Sequence, residues 1–133
     1  MTIQEAISRV DSLKPNVYSQ ADKIVWLNNL DLSVKIEILD THDGAEDFAE
    51  FAGYNAETPL DTELLVPAPY DEMYVFYLEA MIDAYNNEYD RYNESMARFN
   101  AKYRDFGAYY NRKHMPNGVN SIRYGAKICG YPS

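Results

Sequence analysis

At 133 residues with 47% hydrophobic content, the chain holds enough material for one domain with a modest core. A formal net charge of -9 argues against sequence-specific nucleic-acid recognition, which needs a basic face toward the phosphates. The single cysteine, Cys129, excludes an intrachain disulfide, and without a secretory leader pattern or a run of about 18 apolar residues the expectation is a protein with no membrane span, cytosolic at synthesis.

The charge is unevenly distributed. Residues 1–35 carry four basic and four acidic side chains, residues 36–90 fifteen acids and no Lys or Arg, and residues 91–133 eight bases and two acids. Such segregation makes the subunit dipolar, so that the acidic middle of one copy suits the basic C-terminal part of another. The competing reading is a solvated acidic face that keeps the protein in solution.

In chain order, TIQEAISRVDSLKP opens with the Thr2–Glu5 capping pattern, repeats Ile3, Ala6, Ile7, Val10 and Leu13 at helical spacing and stops at Pro15. This predicts a helix over about 3–13. Ser19 and Asp22 offer a second N-terminus, followed by apolar residues to about 40. The segment LDLSVKIEIL alternates apolar and polar, which admits a strand over 32–39, although no hairpin partner is evident and continued helix is favoured.

Residues 41–69, with two glycines, three prolines and many acids, read as a connection with a helical turn near 45–52 and an extended piece at 63–67. Tyr70 and Asp71 then open the next helix, with Asp71 as its cap. Eleven positions, Tyr74, Leu78, Met81, Tyr85, Tyr89, Tyr92, Met96, Phe99, Tyr103, Phe106 and Tyr110, cover 36 residues in ten steps, the α-helical repeat. An unbroken helix over 71–112 would be roughly 60 Å long. Either it folds into two antiparallel helices near the weak helix formers Asn86 and Asn87, or other chains cover its stripe. HMPNG ends the helix, and the acid-free NGVNSIRYGAKICGYPS reads as an extended tail.

Chemistry-bearing motifs are few. Asp40, His42, Asp43, Glu46 and Asp47 cluster in sequence without the ligand spacing of a calcium loop. His42 and His114 lie outside any catalytic motif, and acid pairs on the long helix, such as Glu79 with Asp83 or Asp90 with Glu94, carry no sign of a raised pKa. The expectation is a protein without catalytic residues, metal or cofactor. The tyrosine stripe has two readings, a helical core with hydroxyls at its edge, or subunit contacts in which a large ring with a polar tip is buried on assembly.

The segments VPAPYDEMY, IDAYNNEYDRYN, MARFN and YYNRKHMP, with SRVDSLKPNVYSQADKIVWLNNLD nearer the N-terminus, resemble small proteins encoded in the structural-gene clusters of tailed phages and prophages of Gram-positive bacteria. Proteins at that position are similar to head-tail connectors, also called adaptor or head-completion proteins. The resemblance implies an α-helical subunit in a homo-oligomeric ring, commonly of twelve, beneath the portal protein. It further implies tail-side connector proteins as partners, DNA only as non-specific cargo, no cofactor, and residence in the virion after assembly in the host cytoplasm. The alternative is a cytosolic, prophage-encoded helical interaction or regulatory module.

The expected fold is all-α: a small bundle with a long C-terminal helix or helical hairpin, a long acidic connecting loop, and an extended tail. Residues 1–116 form the domain and 117–133 the tail. The expected contact residues are Tyr85, Tyr89 and Tyr92 on the long helix, Arg112, Lys113, Arg123 and Lys127 toward the tail, and Asp43, Glu46 and Asp47 in the loop.

Overall fold

The computed structural model describes residues 1–117, and among them the regular structure is entirely helical. Helix α1 spans Ile3–Leu13, α2 Gln20–Val34, α3 Glu72–Tyr85 and α4 Tyr89–Lys113. Both early helices begin with complete capping boxes. Thr2 Oγ1 accepts from the Glu5 amide and Ser19 Oγ from the Asp22 amide, both at 3.1 Å, while the Glu5 and Asp22 carboxylates accept from the cap amides in return. Asp71 occupies the capping position of α3 but makes no capping bond, its carboxylate lying 3.3 Å from the Met1 amino group instead.

The alternating stretch at 32–39 continues as helix. After Val34 the backbone takes one π-helical turn, Lys35–Leu39, closed by the Asp40 amide on the Lys35 carbonyl at 2.8 Å. Val34 and Ile38, four apart, face the core with Leu39, whereas Ile36 is 65% exposed. The apparent period of two comes from an exposed isoleucine between two buried residues at helical spacing.

The long tyrosine-striped segment is a helical hairpin. Its break falls at Asn86–Glu88, where Asn87 has φ +60°, a left-handed conformation that Asn tolerates better than most residues. The Asn86, Asn87 and Glu88 amides bond back to the carbonyls of Ile82, Ala84 and Asp83 at 2.8–3.1 Å, so the turn leaves few orphan groups. The antiparallel register is visible in the ring pairs Tyr77–Phe99 at 5.2 Å and Tyr70–Phe106 at 5.9 Å. Met73, Tyr74, Leu78 and Ile82 from α3 meet Phe99, Phe106 and Tyr110 from α4, and α1 and α2 cover the other side of α3.

Between the π-helical turn and α3, over residues 40–71, the connection has only a short 3-10 turn, Ala45–Phe48. Its second half is tied to the bundle by hydrogen bonds. The Ile3 and Gln4 amides donate to the Thr62 and Leu60 carbonyls at 3.1 and 3.0 Å, and the Leu64 amide donates to the Met1 carbonyl at 2.9 Å. Gly53 has φ +95°, and a Cβ there would sit 2.1 Å from Asn28 Oδ1, the atom that accepts the Tyr54 amide at 2.7 Å. Only glycine satisfies both the conformation and that close approach.

The strongest tie is a fully buried carboxylate. Asp31 of α2 accepts the Tyr54 hydroxyl at 2.5 Å, the Tyr74 hydroxyl at 2.6 Å and the Leu65 amide at 3.0 Å. Tyr74 Oη in turn accepts the Val66 amide at 2.8 Å. Desolvation raises the Asp31 pKa, with the three donors opposing it, and burial beside this carboxylate pushes both tyrosine hydroxyls far above the ordinary phenol value.

Two further buried charges pin helix ends. Asp83 of α3, fully buried, receives Lys14 Nζ at 2.9 and 3.1 Å on its two oxygens. Lys23 of α2, 3% exposed, donates to the Tyr18 carbonyl and to Asp11, each at 2.8 Å. Burial would raise the Asp11 pKa, but the Lys23 ammonium and the Asn16 amide outweigh it and hold the carboxyl below its usual range.

Replacing Asp31 by Ala strands two hydroxyls and an amide without an acceptor, and should cost about 3 kcal/mol or more in urea unfolding. With the folded pKa above the unfolded one, the folded state keeps the Asp31 proton where the unfolded chain has released it. Stability from this group is then fully present below the ordinary aspartate pKa and falls as pH rises through the folded value. The stability of wild type relative to Asp31→Asn should therefore improve as pH drops from about 7 toward about 4; a gap that widens the other way would show that the three donors outweigh burial.

Candidate interaction surface

The charged residues expected to make contacts lie together at one end of the bundle. Asp43, Glu46 and Asp47 are exposed in the loop after the π-helical turn, and Arg112 and Lys113 are exposed in the last turn of α4. A short antiparallel bridge joins the two segments. The Asp43 amide donates to the Met115 carbonyl at 2.9 Å, and Asn117 donates through its side chain to the Asp40 carbonyl at 3.1 Å and through its amide to Thr41.

Beneath the bridge, His42 is buried against Tyr110, with Nδ1–H donating to the Ile38 carbonyl at 2.6 Å and Nε2 facing Asn111 Oδ1. A carbonyl only accepts, which places a proton on Nδ1, and by the same rule Nε2 bonds to Asn111 with that side-chain amide turned to present its NH2. The acidic middle and a portion of the basic C-terminal part therefore meet within one chain, which weakens the simple picture of opposite charges on opposite faces. Within the described residues Arg112 and Lys113 make no ion pair, and no set of three His, Cys, Asp or Glu side chains converges as a metal site. Arg123 and Lys127, like Cys129, lie outside the described residues.

The tyrosine stripe divides at the turn. Tyr74, Phe99, Phe106 and Tyr110 are core, Tyr92 and Tyr103 are half-buried, and Tyr85 and Tyr89 are 62% and 64% exposed. The hairpin explains the division, since its two arms bury each other's stripes and leave the positions beside the turn uncovered. Tyr103 reaches across to the Glu37 carboxylate, and burial with that bond raises its pKa.

At the hairpin-turn end of the bundle the ring of Tyr85 stacks on Trp26 of α2, with centroids 5.5 Å apart and planes 18° from parallel, and Tyr18 packs edge-on to Trp26 at 5.7 Å. Tyr18 Oη donates to Asn86 Oδ1 at 2.7 Å, joining the α1–α2 connection to the hairpin turn. Tyr18, Asp22, Val25, Trp26 and Tyr85 line a cleft of about 250 Å³. A second, shallower groove of about 400 Å³ follows directly along the turn, from Asn87 to Arg91.

The cleft is built in advance of any occupant. Lys23 holds the Tyr18 carbonyl, and Asn16 bridges the Asp11 carboxylate and Lys14 carbonyl while accepting the Tyr18 amide at 3.1 Å, so the α1–α2 connection carries its own fasteners. Two of its lining residues stay open, Val25 at 53% and Tyr85 at 62% exposed. Exposed apolar side chains gathered on a rigid aromatic floor are the composition of an interface centre rather than of an ordinary surface.

Of this cleft, only Tyr85 stood among the expected contact residues. The signal for the rest was the run Ile24–Leu27, four consecutive apolar residues in a helix that can bury only one side; Ile24 and Leu27 take the core and Val25 is left outside.

Among the described residues no helix is long and apolar enough to cross a membrane. Compared with protein-family models, with curated proteins and with solved structures, the chain matches none.

Tyr85→Ala should shift the emission of Trp26, the one tryptophan, to longer wavelength and lower stability by only about 1 kcal/mol. Unchanged emission would contradict the stacked geometry.

Proposed function

We propose that the chain is a structural subunit of a tailed-phage virion, a head-tail connector or adaptor protein of the kind its sequence resembles. It acts by assembling with copies of itself into a ring beneath the portal and docking to tail-side proteins, and it performs no catalysis. The observation that carries this reading is the preformed aromatic cleft at the hairpin end, a surface suited to burial against protein and floored by tyrosine and tryptophan, which dominate interface energetics.

The placement of the titratable groups supports a non-catalytic role. Asp31, Asp83, Lys23 and His42, the buried polar side chains with chemistry to offer, are each bound to internal partners that fasten a loop or a helix end. A general acid or base needs a proton route to a substrate. These groups face tyrosine hydroxyls, carbonyls, the Lys14 ammonium and the Asp11 carboxylate instead.

Charge suits the same reading. DNA passing a connector must not be gripped, and a subunit of net charge -9 repels phosphate over most of its surface. In this assignment the exposed acids Asp43, Glu46 and Asp47 guard the end of the bundle where α4 stops.

The test is to purify the full chain, mix it with a tailed-phage portal protein from the same source genome, and image the mixture by negative stain. The reading predicts added ring density on the portal, with Tyr85→Ala and Tyr89→Ala together reducing its occupancy about tenfold or more. Portals that stay bare at saturating subunit, with the chain folded by circular dichroism, would overturn it.

A further inference from the structure

The cleft and the exit of the chain sit at opposite ends of α4. Tyr85 and Asn86 immediately precede that helix, Asn117 closely follows it, and its 25 residues separate the two by about 37 Å. Beyond Asn117 the sequence continues for sixteen residues, with Ile122, Tyr124, Ile128 and Tyr131 as apolar anchors, Arg123 and Lys127 between them, and no Asp or Glu. The cleft offers the complement: an aromatic floor under Trp26 and Tyr85, Val25 exposed at its rim, and the carboxylates of Asp22, Glu88 and Asp90 around it. Arg91, 3.9 Å from Glu88, is the one basic residue among those lining the cleft and the adjoining groove.

We infer that the aromatic cleft is the receptor for residues 118–133 of a second copy of this chain, which binds by seating its isoleucines and tyrosines on Trp26, Tyr85 and Val25 while Arg123 and Lys127 meet the acids of the rim. A neighbouring copy is favoured over the chain's own tail by reach. At about 3.4 Å per residue, a tail returning to its own cleft would consume about eleven of its residues fully extended along α4. Few anchors would be left to fill the site. A copy placed end to end delivers the whole segment from its pinned exit at Asp43 and Met115 straight to the cleft. The contact is heterologous, donor end to receptor end, and repeats until a ring closes.

This inference rests on the self-assembling reading of the chain and adds which surfaces meet. Two full-length variants test it, Val25→Asp, which spoils the receptor at an exposed position and keeps the tail, and Ile128→Asp, which spoils the tail and keeps the receptor. In sedimentation-velocity runs the wild type should associate with rising concentration, and each variant alone should need about tenfold or more higher concentration to do so. Mixing the two variants should restore a single productive contact, giving a one-to-one dimer that grows no further, because the remaining ends are both spoiled. Circular dichroism checks that both variants are folded.

Association of Ile128→Asp like wild type, a mixture that fails to complement, or a wild type monomeric up to about millimolar concentration would each overturn the tail-to-cleft contact. So would protection of the cleft by the chain's own tail at all concentrations. If Ile128→Asp still decorates the portal as wild type does, only this inference falls; if wild type itself leaves the portal bare, the connector reading falls with it.

Discussion

A carboxylate with no exposed surface and, among the described residues, no cationic partner holds the long connection of this protein in place. Asp31 sits on the core face of α2, four residues beyond Leu27, and takes three hydrogen bonds from three different parts of the chain: Tyr54 in the middle of the loop, Leu65 near its end and Tyr74 in α3. Burying an unpaired carboxylate is costly, and the cost is offset here in part by converging donors rather than by a positive charge. Without that convergence the stretch from Gly53 to Val66 would keep its backbone bonds to residues 1–4, the Asn28 bond to Tyr54 and the burial of Leu64 and Val66, but would lose the contact that joins it to both α2 and α3.

The other buried charges follow a related logic at other joints. Lys14 with Asp83 couples the end of α1 to the end of α3, and removing Lys14 would leave the fully buried Asp83 stranded at a cost of about 3–5 kcal/mol. Lys23 fastens the α1–α2 connection, and His42 fastens the segment after the π-helical turn to the end of α4. Each lies where regular helix stops. The interior thus spends its polar groups on fixing connections, and the aromatic cleft is a consequence, since Tyr18, Trp26 and Tyr85 are brought together by the joints that Lys23 and Asp83 secure.

Helix positions were readable because their signals are local. The boxes at Thr2 and Ser19, the stop at Pro15 and the repeat of apolar positions all act within one or two turns, and the weak formers Asn86 and Asn87 marked the place where the hairpin bends. The strand alternative at 32–39 failed because an alternation of apolar and polar residues also arises when a helix exposes one of its isoleucines. Asp31 and Asp83 were harder to read. Each is an acid at a core-facing position, in NNLDLS and MIDAY, but their partners Tyr54, Tyr74 and Lys14 lie 23, 43 and 69 residues away, and only the tertiary fold brings those together. Of the three tyrosines expected to make contacts, Tyr85 and Tyr89 are exposed and Tyr92 is half-buried, while Trp26 and Val25 were hidden in a run whose facing depends on how α2 packs.

The central claim, that Asp31 ties the loop into the same cooperative unit as the helices, is tested most directly by native-state hydrogen exchange at the Leu65 and Val66 amides. Their acceptors are the Asp31 carboxylate and the Tyr74 hydroxyl it orients. Both amides should exchange as slowly as those in the centre of α3, by global unfolding, and should be released by Asp31→Asn well before the helices are. Fast exchange at both positions in the wild type would contradict it.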